Sequence, residues 1–404
     1  MDGTAPHGTA PRAPIPGILF FFVLAHFSHH LLTSLPIPLS PMIRSDFALD
    51  YTQAGLVISA FNLSYGLGQL PAGWLADRLG PRLMMAIGIC GVALAGFLVG
   101  LSHSFSMLIL FLALMGIMGG GYHPAAPPMI SAAVEKVYQG RALGLHMIGG
   151  GASFFLAPLI AAAIAAYFGW RGSFLGLALP TLAYGAFFYT ILKKRRLGEA
   201  VKKESTKKTI AAKMPAGQIR TLGLVIFLST FTAAVLFAAM SFIPLFLVDQ
   251  VGFSKAKAGA FFAFIYSAGL WVSPIGGYLS DRFGAIPVLL MVLFLTGPVI
   301  YLLNFVSSWL GVGVLLLLIG IIIYVRMPVS ESYIMAKTPE HRRSAVLGIY
   351  FFSSMEGGGV LTPLLGYLID NLGFYYSFSI AALLLLATTF ICSIFLWGER
   401  HERA

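Results

Sequence analysis

Charged side chains are scarce in this chain: Asp, Glu, Lys and Arg make up 10% of its 404 residues, against about a quarter in soluble domains. With 58% hydrophobic residues beside it, that deficit excludes a water-soluble fold. Cysteine is nearly absent. Cys90 and Cys392 both fall in apolar runs, so no extracellular disulfide framework is expected. No G-x-x-x-x-G-K-[ST] loop is present to cradle a nucleotide phosphate, which argues against ATP as the energy source, and no cofactor is expected. The first residues, MDGTAPHGTAPRAP, lack the basic region and small-residue cleavage site of a secretory signal. They read as a disordered tail over 1–14.

What the chain has instead is long apolar runs separated by short polar breaks, each near the roughly 20 residues that cross a ~30 Å hydrocarbon core. They predict spans at 15–39, 53–76, 83–101, 106–131, 141–166, 169–192, 221–248, 256–279, 285–304, 309–334, 343–368 and 373–397, an all-α integral membrane protein of twelve transmembrane helices. The net charge of +11 is not a nucleic-acid signature. With the N-terminus inside, Arg44, Arg171, Lys255 and Lys257 are outside, Arg326 is within a span, and all other Lys and Arg are cytoplasmic. Both termini are then cytoplasmic, in an inner (plasma) membrane, with the KKRR of 193–196 opening a basic linker over 193–220 that faces anionic headgroups.

That linker separates six spans at 15–192 from six at 221–397, leaving a short tail at 398–404, and the halves repeat. GWLADRLGPR at 73–82 returns as GYLSDRFGAI at 277–286, so Gly73, Asp77, Arg78 and Gly80 recur 204 residues later as Gly277, Asp281, Arg282 and Gly284. The same offset carries Pro124 to Pro328, Gly144 to Gly348 and GWRGSF at 169–174 to GFYYSF at 373–378, as a duplicated unit would. Two parallel six-helix halves with G-x-L-x-D-R-x-G after the second span of each resemble the major facilitator superfamily across nearly the whole chain. The resemblance implies two bundles, with Gly73, Asp77, Arg78, Gly277, Asp281 and Arg282 acting as gate latches on the cytoplasmic side. The glycines would let helices pack closely and the aspartates would accept from a helix N-terminus. Ile286 stands where Arg82 would repeat, so the two latches are unequal.

Ionisable groups inside lipid cost several kcal/mol, and each is a functional candidate by default. Here they are His26, His29 and His30 in the first span, His123 in the fourth, His146 in the fifth, Arg326 and Glu331 in the tenth and Glu356 in the eleventh. The three histidines of the first span share one broad helix face, with Pro36 and Pro38 able to bend its outer end. Metal ligation, proton relay and hydrogen-bonded packing all fit them. Metal is the weakest of the three, because no cysteine or carboxylate accompanies them in that span. Arg326 cannot shed its charge and needs a partner, either Glu356 at similar depth or Glu331 further along its own helix. Such a pair is either a static tie or an anion site that Glu356 vacates.

GGGYHPAAPP at 119–128 places three glycines and three prolines around His123. It predicts a discontinuous helix of the kind that marks transporter sites and hinges. With AHFSHHLL at 25–32 and GLHMIGGGASFFLAPLIAA at 144–162, it looks like the fosmidomycin-resistance branch of the superfamily. That branch's known member exports a phosphonate antibiotic, and the resemblance makes His26, Phe27, Tyr122, His123 and Pro124 central. His30 and Ala125 replace acidic residues expected there, which tilts the cavity toward positive charge and leaves Glu356, His26 and His123 as proton carriers.

The resulting expectation is a monomeric, proton-coupled secondary transporter. It would most readily be an efflux antiporter of a small organic anion or drug that binds His26, His30, Tyr122, His123, Arg326 and Glu356. Uptake symport of an organic acid and export of a metal or cationic drug are the alternatives, with a receptor or lipid scramblase on the same fold. An embedded enzyme would have only Ser330, Glu331 and Ser332 as a nucleophile cluster.

Overall fold

Helix is the only regular structure among the described residues of the computed structural model, which are 17–135, 138–197, 216–339 and 342–397. Lipid offers a backbone no hydrogen bonds, so each segment must satisfy its own. The expected tails at 1–14 and 398–404, and 198–215 of the expected linker, lie outside the described residues.

The helices are α1 (Ile18–Thr33), α2 (Ser40–Phe47), α3 (Tyr51–Leu79), α4 (Pro81–Ala86), α5 (Val92–Gly100), α6 (Phe105–Gly119), α7 (Tyr122–Ala133), α8 (Gln139–Lys194), α9 (Ala216–Asp249), α10 (Lys255–Phe261), α11 (Ala263–Ser267), α12 (Val272–Phe283), α13 (Ala285–Leu302), α14 (Trp309–Lys337) and α15 (Arg343–Trp397). A π-helical turn, Ile87–Gly91, joins α4 to α5. Among the described residues eight helical stretches are long and apolar enough to cross a membrane.

Two of these helices exceed any single crossing. α8 has 56 residues and α15 has 55; a straight helix of that length would run about 80 Å at 1.5 Å per residue. Each turns at one glycine, Gly169 (φ 67°, ψ 175°) and Gly373 (φ 76°, ψ 171°), in a region closed to other L residues. The repeat is thus visible in the backbone. It recurs at the ends of α3 and α12, where Gly80 (φ 88°, ψ 141°) and Gly284 (φ 87°, ψ 149°) cap matching helices.

Two expectations change, and one feature is new. The first helix ends at Thr33 and does not bend through to residue 39, because Pro36 and Pro38 lack the N–H that would continue it and the residue before a proline avoids the α region. The helix expected from 221 begins at Ala216. In the second half the interruption falls at Phe262 and at Ala268–Trp271, between α10, α11 and α12, whereas α14 runs unbroken through Pro328.

At the end of the molecule away from the basic linker, α3 and α15 meet backbone to backbone. A Cβ added to Gly55 would lie 2.8 Å from Pro363 Cα, one on Gly359 2.6 Å from Leu63 Cδ2, and one on Gly366 against the Tyr51 carbonyl. Ser59 Oγ donates to the Gly359 carbonyl across this seam. Small residues at such a contact let helices approach where lipid supplies no hydrophobic drive.

Candidate functional site

Eight rings, those of His26, His29, His30, Tyr65, Tyr122, His123, His146 and Phe154, converge where α1, α3, α7 and α8 meet. His29, fully buried on α1, stacks on Tyr122 of α7 at 4.5 Å between centroids and 11° between planes. His26 stacks on His146 of α8 at 4.3 Å and lies 5.3 Å from His123. His30 is 5.3 Å from His123 and 4.5 Å from Phe154.

Glycines make this density possible. The break expected at 119–121 is present as a shallow turn between α6 and α7, with Gly120 and Gly121 still in the α region. A Cβ on Gly119 would meet the Tyr65 ring at 2.8 Å and one on Gly120 the Gly68 backbone at 2.6 Å, so the break is packed onto α3. Gly88, in the π turn, leaves room for Tyr122. Gly150, the middle of the GGG on α8, leaves room for His26, whose Cε1 would be 2.5 Å from an added Cβ.

Hydrogen bonds fix the rings. Nδ1 of His26, His29 and His146 each faces a backbone carbonyl, of His146 (2.9 Å), Gly88 (3.0 Å) and Phe22 (3.0 Å). A carbonyl only accepts, so in each ring Nδ1 carries the hydrogen and Nε2 the lone pair. His29 Nε2 accepts from the Tyr65 hydroxyl at 2.9 Å, which makes His29 a fully satisfied packing residue. His30 Nδ1 is 3.0 Å from Thr33 Oγ1. The buried Tyr122 hydroxyl has no partner. One ring nitrogen from each of His26, His30 and His123 lies within 4.8 Å of the other two. The first span offered two of these on its own; the fold adds the third from α7.

The other candidates are elsewhere. Arg326 of α14 is 6% exposed, and its Nη1 donates to the carbonyl of Ser229 at 3.0 Å and to Ser229 Oγ at 2.9 Å. Ser229 Oγ in turn lies 2.8 Å from Ser330 Oγ and 3.3 Å from the Tyr350 hydroxyl. Arg326 Nε has no partner, and neither do Glu331 Oε1 and Glu356 Oε1.

Neither carboxylate expected to pair with Arg326 does so. Glu331, five residues on, points about 140° away around α14 at 100° per residue. Glu356 is turned toward the first half, its Oε1 where a Cβ on Gly66 would have to go. No hydrogen bond, ion pair or ring contact joins Arg326 or Glu356 to the histidines. Tyr65, Ser229 and Tyr350 were not foreseen, and Ser330 was singled out only as a member of a nucleophile cluster, since a hydroxyl in an apolar helix gives no sequence signal of its partner. Ser330 sits inside α14 against other hydroxyls and Arg326, with no general base on it.

A cavity of about 220 Å³ opens between the halves, lined by His30, Tyr65 and Phe154 on one side and Phe237, Tyr266 and Met355 on the other. Phe154 stacks on Tyr266 across it at 5.2 Å. The halves are tied at the end away from the linker. Asp249 accepts from Arg44 Nη1 at 3.0 Å and from the Tyr51 hydroxyl at 2.7 Å. Asp370 takes the Tyr51 and Thr52 backbone N–H groups, each at 2.8 Å, and the Thr52 hydroxyl at 2.6 Å.

At the opposite end Gly73, Arg78, Gly277 and Arg282 of the duplicated motif make no contact with the other half among the described residues. Gly73 and Gly277 do not pack against a neighbouring helix here: a Cβ on either meets nothing within 4 Å. Arg78 lies over the Trp74 ring of its own helix at 3.9 Å, and Arg282 donates to Tyr278 at 3.2 Å. Asp281 is exposed, and Arg78 and Arg282 reach no residue of the other half. The glycines the local backbone does require are Gly80 and Gly284, at positive φ.

A model of the Major Facilitator Superfamily matches residues 22–273 and 225–404. The chain belongs to the major facilitator superfamily. It is 26% identical over 405 residues to the fosmidomycin resistance protein of Escherichia coli (strain K12), covering 100% of this chain and 98% of that one. It is 23% identical over 381 residues to the hexuronate transporter of Bacillus subtilis (strain 168), covering 89% of each. In fold it matches a bacterial homolog to the human lysosomal transporter Spinster, in an inward-facing and occupied conformation, with a TM-score of 0.78 and 16% identity over 94% of this chain and 95% of that one. The chain is a multi-pass membrane transporter of this superfamily and not an enzyme.

Proposed function

We propose that this transporter moves a small organic anion or anionic drug by alternating access, coupled to protons, most simply as an efflux antiporter. Arg326 carries the reading. A permanent cation, 6% exposed and without a carboxylate within ion-pair distance, is a charge that a bound anion would neutralise directly. The free Nε and the hydroxyls of Ser229, Ser330 and Tyr350 supply donors for it. A relative named as a hexuronate transporter agrees with an anionic substrate, and another named for fosmidomycin resistance agrees with drug efflux.

In this account Gly169 and Gly373 are corners between consecutive spans. Together with α1 and α3 they give twelve spans in two six-helix bundles, with both termini cytoplasmic in the inner membrane. Glu356 faces Gly66 across the boundary between the halves with an oxygen lacking any donor. Such a carboxyl is best placed to carry the proton, because its cost in lipid depends on its charge and its surroundings change as the halves part. His26 and His123 are the other carriers. The closed end at Asp249 and Asp370 and the motif end, where Gly73, Arg78, Gly277 and Arg282 do not reach the other half, then correspond to an inward-facing state, and Gly73, Asp77, Arg78, Gly277, Asp281 and Arg282 close the cytoplasmic end in the opposite one.

The test is a thermal-shift panel of phosphonates, carboxylates, sulfonates and lipophilic cations on wild type and Arg326→Ala. A ligand that binds the native state alone raises the melting point. Stabilisation by one anion class, lost in Arg326→Ala, is expected. Stabilisation by cations, or by anions equally in both proteins, would contradict the reading.

A further inference from the structure

We propose that His26, His30 and His123 form a binding site for a divalent transition-metal ion of the zinc, cobalt or nickel class. Each of the three offers a ring nitrogen within 4.8 Å of the other two. Imidazoles on a tetrahedral ion with bonds of about 2.0–2.1 Å stand about 3.4 Å apart, so a shift on the order of 1 Å or a small ring rotation closes the site.

The protonation pattern selects for a cation. His26 donates from Nδ1 to the His146 carbonyl, which leaves its Nε2 lone pair free. His30 Nδ1 is engaged by Thr33 Oγ1. This is the outer partnership that metal-bound histidines show: one ring nitrogen on a carbonyl or hydroxyl, the other on the ion. Among the described residues no carboxylate is hydrogen-bonded or ion-paired to these rings. A neutral imidazole carries one lone pair, and the tautomer that turns the lone pair of each ring toward the common point gives a cluster that a cation would satisfy.

Neutral imidazole ligands in an apolar setting favour zinc-like ions over magnesium or calcium, which demand oxygen. His29 is excluded as a ligand because both of its ring nitrogens are already used. The fourth coordination position remains for water or an anion, and His30 borders the 220 Å³ cavity through which either would enter. The site rests on the first half alone and is independent of the anion reading at Arg326.

The experiment uses full-length, chelator-stripped protein in detergent, titrated with Co2+ and then with Zn2+. Tetrahedral cobalt on three imidazoles gives a strong visible absorption, expected to saturate at one ion per chain and to be displaced by zinc. His26→Gln and His123→Gln should each weaken binding at least tenfold, and Arg326→Ala should leave it unchanged. X-ray absorption of the zinc-loaded wild type, which needs no variant to fold, should count three imidazole nitrogens. Absence of visible absorption, a first shell of oxygens only, or binding that survives both substitutions would overturn the proposal.

Discussion

Arg326 sets the stakes at the scale of single residues. Its guanidinium is buried on the carbonyl and hydroxyl of Ser229 with no carboxylate in direct contact, so removing it should cost an anion most of its hold. Arg326→Ala is expected to lower anion affinity at least about tenfold, near 1.4 kcal/mol, and Arg326→Lys to restore part of it, because a point charge replaces a fork. Binding measured on purified protein checks both. Gly150→Ala is a different kind of lesion. Its Cβ would stand 2.5 Å from His26 Cε1, and overpacking of this sort costs roughly 1–3 kcal/mol. Gly151→Ala, one position along and facing open space, should be near neutral. Comparing the two unfolding midpoints separates crowding of the ring from any effect of helix propensity.

Among the elements, the turns and seams show what the sequence carried and what it withheld. Apolar run lengths made most helices legible, and the 204-residue repeat pairs four of the five positive-φ glycines among the described residues, Gly80 with Gly284 and Gly169 with Gly373. The histidine-rich face of α1 and the break before His123 were readable from spacing. Their meeting with His146, Tyr65 and the Gly88 carbonyl was not, because nothing local in a helix records which neighbour it packs against. Arg326 was found as a buried charge, yet its partners were misassigned: depth along a helix is readable, whereas rotation about its axis relative to another helix is a tertiary property. The close packing assigned to Gly73 and Gly277 is absent in this conformation. Gly284→Ala is expected to cost about 1–3 kcal/mol of stability, as for any side chain forced into that backbone region. Gly277→Ala should change stability by less than about 0.5 kcal/mol while slowing transport, if the motif closes only in the opposite state. Unfolding and initial-rate measurements on the same preparations test both statements.

At the scale of the whole molecule the two halves are tied at the end bearing Asp249 and Asp370. Those two carboxylates from the second half take up Arg44, Tyr51 and Thr52 of the first, including two backbone N–H groups at the start of α3. Neutralising both with Asp249→Asn and Asp370→Asn removes charge-assisted bonds and should shift the population toward opening at that end, seen as faster labelling of a cysteine placed at Ser34 beside the cavity. Unchanged labelling would mean that the α3 and α15 seam alone keeps the halves together. The central claim, coupled anion transport through a site built on Arg326, is tested most directly in proteoliposomes. Flux of a sugar acid and of a phosphonate would be followed under an imposed pH gradient, with wild type and Arg326→Ala side by side. The account predicts saturable flux of at least one of them that follows the pH gradient in wild type and is lost in Arg326→Ala. Flux that ignores the gradient, or that persists undiminished in the variant, would contradict it.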